Sequence, residues 1–129
     1  MISLDTNVLI RILVDDPDNS KQNIAARTLA KKYKHFFISQ IVQVELIWVL
    51  ERAYKFKKPT IKKVLRELID NTCFILQRND NLEQALDLYG TVQANFSDCL
   101  IYVESISHDA KSIMTFDKIF SKIPKVNII

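Results

Sequence analysis

A chain of 129 residues, nearly half hydrophobic and about a quarter charged, is long enough for one domain with a real core and too short for two. Its 18 basic and 15 acidic side chains leave a net charge of +3, a mild basic balance compatible with a polyanionic partner without identifying one. Two cysteines are too few for a disulfide framework or a zinc site, and the longest apolar run, Leu46 to Leu50, is far short of a membrane span.

Ile2 to Leu4 reads as a strand, and Asp5 sits where it ends. Thr6 to Val14 follows as a helix, whose run from Val8 to Val14 is apolar but for Arg11. A carboxylate between two hydrophobic segments is expected to be shielded from water, so it needs a partner, a metal or a raised pKa. Asp5 is therefore either the cap of the following helix or half of a site. Asp15-Asp16-Pro17-Asp18-Asn19 has the chemistry of a solvated turn, and Ser20 is placed to cap a second helix with Ile24, Ala25 and Leu29 facing inward.

Phe36-Phe37-Ile38 is wholly apolar, as expected of a strand buried in a parallel sheet. Ser39 then caps a long helix, Gln40 to about Tyr54, that is apolar almost all round and so is expected to be central. Glu45 lies within it among Ile41, Trp48 and Val49, either paired with Arg52 or a lysine at a polar seam, or functional. Ile61 to Asn71 is an amphipathic helix, lysine-rich outside, opened by Pro59. Cys73 to Leu76 is the next strand, and Asp80 with Glu83 forms a capping-box pattern for a further helix. Cys99 to about His108 is another apolar helix, which Ser97 or Asp98 could cap, with His108 favoured by the dipole at its end. Ser112 to Thr115 and Val126 to Ile129 are the last strands, and Asp117 follows the first of these much as Asp5 follows the opening strand. Cys73 and Cys99 both fall in apolar segments and read as buried thiols of a reducing compartment. With no signal-peptide pattern at the N-terminus, a cytoplasmic protein is expected.

Alternating strands and helices predict a single α/β domain over residues 1–129 with a mostly parallel sheet, whose ligands bind beyond the carboxyl ends of the strands. Asp5, Glu45, Asp98 and Asp117 each flank or interrupt an apolar segment where strands end or central helices pass. If they converge, their mutual repulsion calls for cations, and oxygen-only ligands favour Mg²⁺ or Mn²⁺. Such ions bind phosphate, lower the pKa of water and stabilise a leaving oxygen, which leads to metal-dependent phosphodiester chemistry.

Leu4-Asp-Thr-Asn-Val-Leu-Ile10, the helix with Glu45, Phe96-Ser-Asp-Cys-Leu-Ile101 and Thr115-Phe-Asp-Lys-Ile-Phe120 together resemble, in order and nearly end to end, the PIN-domain nucleases. Within that family they resemble the VapC-type toxins of bacterial toxin–antitoxin pairs. The resemblance implies a PIN-like fold with strand order 3-2-1-4-5 and an Mg²⁺- or Mn²⁺-dependent endoribonuclease. It also implies a homodimer and a VapB-type antitoxin covering the acidic groove, with tRNA or rRNA as the substrate class. Asp5, Glu45, Asp98 and Asp117 would form the catalytic quartet, with Asp5 and Asp98 as metal ligands. Thr6, Asn7 and Thr115 would orient the carboxylates or metal-bound waters. Cys99 stands where relatives usually have alanine.

Lys57 and Lys58, in a lysine-rich stretch, are either a solvated surface or a footprint for the RNA backbone. An aspartyl phosphatase would want an aspartate where Asn7 stands, and a receiver domain would want an acidic pair after Leu4. A housekeeping RNA-processing nuclease and a catalytically silent RNA-binding module remain as alternatives.

Overall fold

The computed structural model describes all 129 residues, which fall into two compact units, Met1–Gln77 and Arg78–Ile129. In the first, β1 (Ile2–Ser3), α1 (Thr6–Leu13), α2 (Ser20–Lys32), β2 (Phe36–Ile38), α3 (Gln40–Arg52), α4 (Lys58–Asp70) and β3 (Phe74–Leu76) follow one another, so each pair of successive strands is separated by two helices. The strands are parallel, in the order β3-β2-β1, with Ile2 opposite Phe36 and Phe36 opposite Phe74. Parallel pairing requires a crossover between strands, which these helix pairs supply.

The N-terminal unit is buried along helical stripes. Leu9 and Ile10 of α1, Leu46, Ile47 and Leu50 of α3, and Ile61, Leu65 and Leu68 of α4 are all withdrawn from solvent. Ser39 caps α3 by accepting from the Val42 N–H, as expected, and Pro59 lies in the first turn of α4, where its missing N–H is no loss. Two helical faces differ from expectation. Helix α2 turns Asn23 and Ala26 inward and leaves Ile24 68% exposed. Its register is set by Asn23, whose Nδ2 donates to the Asp16 carbonyl at 2.8 Å. Helix α3 is not buried all round, because Ile41 is 71% and Trp48 45% exposed, and Glu45 on the same face is exposed too.

The C-terminal unit comprises α5 (Asn79–Tyr89), α6 (Phe96–Ser107), β4 (Ile113–Thr115) and β5 (Val126–Ile128). Helices α5 and α6 pack together, with Tyr89 edge-on to Phe96 at 5.6 Å between ring centroids. Strands β4 and β5 are parallel, Ile113 opposite Val126, and their inward side chains join Ala94, Phe120 and Ile123 in a small core. Asp80 is not the cap of α5. The chain enters at Arg78 in a left-handed conformation (φ 53°), and Asp80 lies in the first turn, where the helix dipole still favours its charge. His108 ends α6 with its ring Nδ1 2.9 Å from the Glu104 carbonyl oxygen. Cys99 is fully buried as expected; Cys73 is exposed, because it precedes β3 and does not lie within it.

The α/β class and parallel strands match expectation, but the single five-stranded sheet does not form as one ladder. Strands β4 and β5 make their own two-stranded sheet. Strand β1 has only two residues, and its ladder is with β2. No helix is long and apolar enough to cross a membrane.

Candidate active site

The C-terminal unit carries two electrostatically coupled carboxylates, Asp98 and Asp117. Asn95, and neither Ser97 nor Asp98, caps α6, its side-chain oxygen accepting from the Asp98 N–H at 2.8 Å. The Asp98 carboxyl is thus released from capping and stands half-buried in the first turn. Burial pushes its pKa up, and the negative charge of Asp117 pushes it further.

Asp117 is fixed by its own backbone surroundings. Its N–H donates to Thr115 Oγ1 at 3.0 Å, and its Oδ1 accepts from the N–H groups of Ile119 (2.8 Å) and Phe120 (3.2 Å). Thr115 is the last residue of β4, and the Ile129 N–H donates to its carbonyl at 3.0 Å. Asp117 therefore both shapes the turn after β4 and lends its charge to Asp98.

The N-terminal unit holds the other two acids. Asp5 caps α1, with Oδ1 accepting from the Val8 N–H at 3.0 Å, and it is exposed, contrary to the shielding expected of it. Strand β1 ends before Leu4, so Asp5 lies on the turn into α1, at the rim of the sheet. Glu45 is likewise exposed, and its Oε2 accepts from Thr6 Oγ1 at 3.0 Å. Arg52 does not pair with it; its guanidinium lies over the Trp48 ring, 5.6 Å from the centroid. Asp5 and Asn7 border a cavity of about 410 Å³ between α1 and α2, with Arg11 and Gln22 beside them and Val8, Ala25, Ala26 and Leu29 as its apolar wall.

Arg11 was visible in the sequence only as a charge interrupting an apolar run. Its Nε donates to Gln22 Oε1 at 3.0 Å and its Nη1 to Tyr54 Oη at 2.6 Å, while Tyr54 Oη donates to Asp16 Oδ2 at 2.8 Å. Asp16 is therefore not simply part of a solvated turn. It also accepts from Asn19 Nδ2 and the Asp18 N–H, and Arg11 lies 3.7 Å away. The network fixes one wall of the cavity. Asn95, the other residue that sequence reasoning missed, stands three residues before Asp98, the spacing at which a cap bonds its helix.

Of the four carboxylates, Asp5 and Glu45 belong to the N-terminal unit and Asp98 and Asp117 to the C-terminal unit. No group of three or more histidine, cysteine, aspartate or glutamate side chains is gathered to hold a metal ion. The chemistry of the Asp98–Asp117 pair nevertheless fits a hard divalent ion, because Mg²⁺ keeps several waters and needs only one or two carboxylates. Lys57 and Lys58 stand at the start of α4, the former as its N-cap residue.

A family model described as the PIN domain matches residues 2–126, spanning both units. A protein from Aquifex aeolicus (strain VF5) named as a VapC ribonuclease is 26% identical over 121 residues, covering 93% of this chain and 90% of the relative.

Proposed function

We propose, from the premise that this chain belongs to the PIN domain family, that it is an endoribonuclease of the VapC type, dependent on Mg²⁺ or Mn²⁺. The observation that carries this reading is the Asp98–Asp117 pair, a half-buried carboxyl whose ionisation is opposed by a second one fixed beside it. Uncompensated negative charge of this kind destabilises a fold, and a bound cation removes the penalty. Asp98 would be a metal ligand, with Asp117 adding negative charge, and the metal-ligand role proposed for Asp5 rests on the family resemblance.

When bound, a divalent ion lowers the pKa of water and stabilises negative charge on the phosphate and the leaving oxygen. The chain's own residues do the rest. Glu45, exposed and steadied by Thr6, would take a proton from the attacking water. Thr115 holds the backbone of Asp117, and Asn7 stands beside Asp5 at the cavity rim. The nucleophile is water, so the RNA 2′-hydroxyl is not required. Lys57 and Lys58 would contribute backbone contacts whose strength falls with salt.

By the same reading, the protein is a cytoplasmic toxin, a homodimer, acting on tRNA or rRNA and held silent by a VapB-type antitoxin. The α1–α2 cavity supports the antitoxin assignment, since an apolar wall with Asp5 and Arg11 beside it suits an amphipathic tail. The test is cleavage of bulk tRNA and rRNA by purified protein with Mg²⁺, with Mn²⁺ and with chelator, alongside folded Asp98→Asn and Asp5→Asn variants. Cutting that needs the ion and is lost in both variants is expected. Failure to cut any RNA with either ion would overturn the proposal.

A further inference from the structure

We propose that the Phe116 ring is a stacking platform that seats an unpaired RNA base beside Asp117, an inference that rests on the nuclease reading above. Phe116 is 82% exposed, more than any other large hydrophobic side chain in the protein, and it immediately precedes Asp117. An apolar ring so fully in water adds nothing to the core. The ring leaves the core where the strand ends: Phe116 follows Thr115, the last residue of β4, on the bend that leads into the Asp117 turn, where residues 116–119 are all exposed.

The backbone that carries the ring is pinned on both sides. Before it, the Thr115 carbonyl accepts from the Ile129 N–H; after it, Asp117 is bonded to Thr115, Ile119 and Phe120, and the Ser121 N–H donates to the Asp117 carbonyl. The ring is thus presented from a fixed position. Little ordering of the protein backbone would accompany binding.

A cation held by the carboxylates would engage the phosphate of the strand to be cut but would leave its base untouched, so holding the base calls for a further contact. Stacking on an aromatic face does this for any base, and Lys118, exposed and next in the chain after Asp117, supplies a cation for the neighbouring phosphate. An aromatic ring with a basic side chain close by is the pattern used by single-strand binding sites.

The experiment measures kcat and KM on a single-stranded RNA oligonucleotide for wild type, Phe116→Ala, Phe116→Leu and Phe116→Trp. The exposed position makes all three compatible with folding. Alanine and leucine are expected to raise KM by roughly 5- to 150-fold, with kcat changing less, and tryptophan to restore it. With an abasic nucleotide at the stacked position, wild type and Phe116→Ala should converge. If wild type cuts and the alanine variant keeps its KM, or leucine serves as well as tryptophan, the stacking role falls and the nuclease stands. If wild type neither binds nor cuts RNA with either ion, the nuclease reading falls and takes this inference with it.

Discussion

Thr6 Oγ1 donates a hydrogen bond to Glu45 Oε2 at 3.0 Å, joining residues 39 apart in sequence and tying the first turn of α1 to the middle of α3. Thr6 is buried and Glu45 exposed, so a group anchored in the core orients one at the surface. Replacing Thr6 with valine keeps the shape and removes the donor. RNA cleavage should fall about 10- to 100-fold, the loss typical of groups that orient catalytic ligands. Stability should fall by about 0.5–1.5 kcal/mol. Thr6→Ser, assayed in parallel, should recover most of the activity.

Asp5 has two roles that substitution can separate. Asparagine caps helices about as well as aspartate but carries no charge. Asp5→Asn should therefore keep nearly wild-type stability in urea unfolding while losing cleavage. Asp5→Ala should lose cleavage and also about 0.5–2 kcal/mol of stability, because the Val8 N–H then lacks its acceptor. Cleavage retained in Asp5→Asn would leave Asp5 a cap alone.

The Asp98 carboxyl sits above the usual aspartate range because of burial first and Asp117 second. A raised folded-state value means that the native protein holds its proton more tightly than the unfolded chain, so stability falls as pH rises through that value. At neutral pH, in chelator, ionised Asp98 is thus a destabilising group. Asp98→Asn should raise the thermal midpoint under those conditions while abolishing cleavage. A lowered midpoint would mean that the carboxylate has stabilising partners in solution.

Added Mg²⁺ or Mn²⁺ gives a readout independent of catalysis. An ion present at ten times its dissociation constant stabilises the native state by about 1.4 kcal/mol. Wild type should show this rise in calorimetry, and an Asp98→Asn/Asp117→Asn double variant should not. Equal shifts in both proteins would place the ion elsewhere.

Away from the site, Asp16 is held below the usual carboxylate range, chiefly by the Asn19 side chain and then by Tyr54, the Asp18 N–H and Arg11. A depressed folded-state value contributes stability above the ordinary aspartate range and loses it as pH falls through the lowered value. Tyr54→Phe removes one of these donors. The variant should be less stable at neutral pH and show a shallower loss between about pH 5 and pH 2 in urea unfolding. Parallel acid profiles for the two proteins would show that Asp16 does not depend on Tyr54.

The sequence by itself determined the α/β class, the parallel strands, the Ser39 cap, the buried stripe of α4 and the PIN domain family. These follow from local signals: hydrophobic period, cap chemistry, and an ordered set of motifs along one chain. Burial of individual side chains was another matter. Apolar neighbours predict shielding for Asp5 and Glu45, yet both are exposed. Asp5 lies outside α1 as its N-cap, and Glu45 shares an exposed face of α3 with Ile41 and Trp48, since which face of a helix is covered is set by what packs against it. The same physics left Ile24 and Ile41 in water, and it put Asn23 inside, where its amide is held by the Asp16 carbonyl.

Only the tertiary structure decided which polar groups meet. The Arg11–Tyr54–Asp16 network and the Thr6–Glu45 bond join segments roughly forty residues apart, beyond the reach of any sequence period. The cap of α6 shows the limit at short range. Asn95, Ser97 and Asp98 all have cap chemistry, and the sequence does not rank them, because the position where the backbone turns helical is set by how α6 packs on α5. With Asn95 in that role, Asp98 is left with a half-buried charge that no cap explains, facing the charge of Asp117.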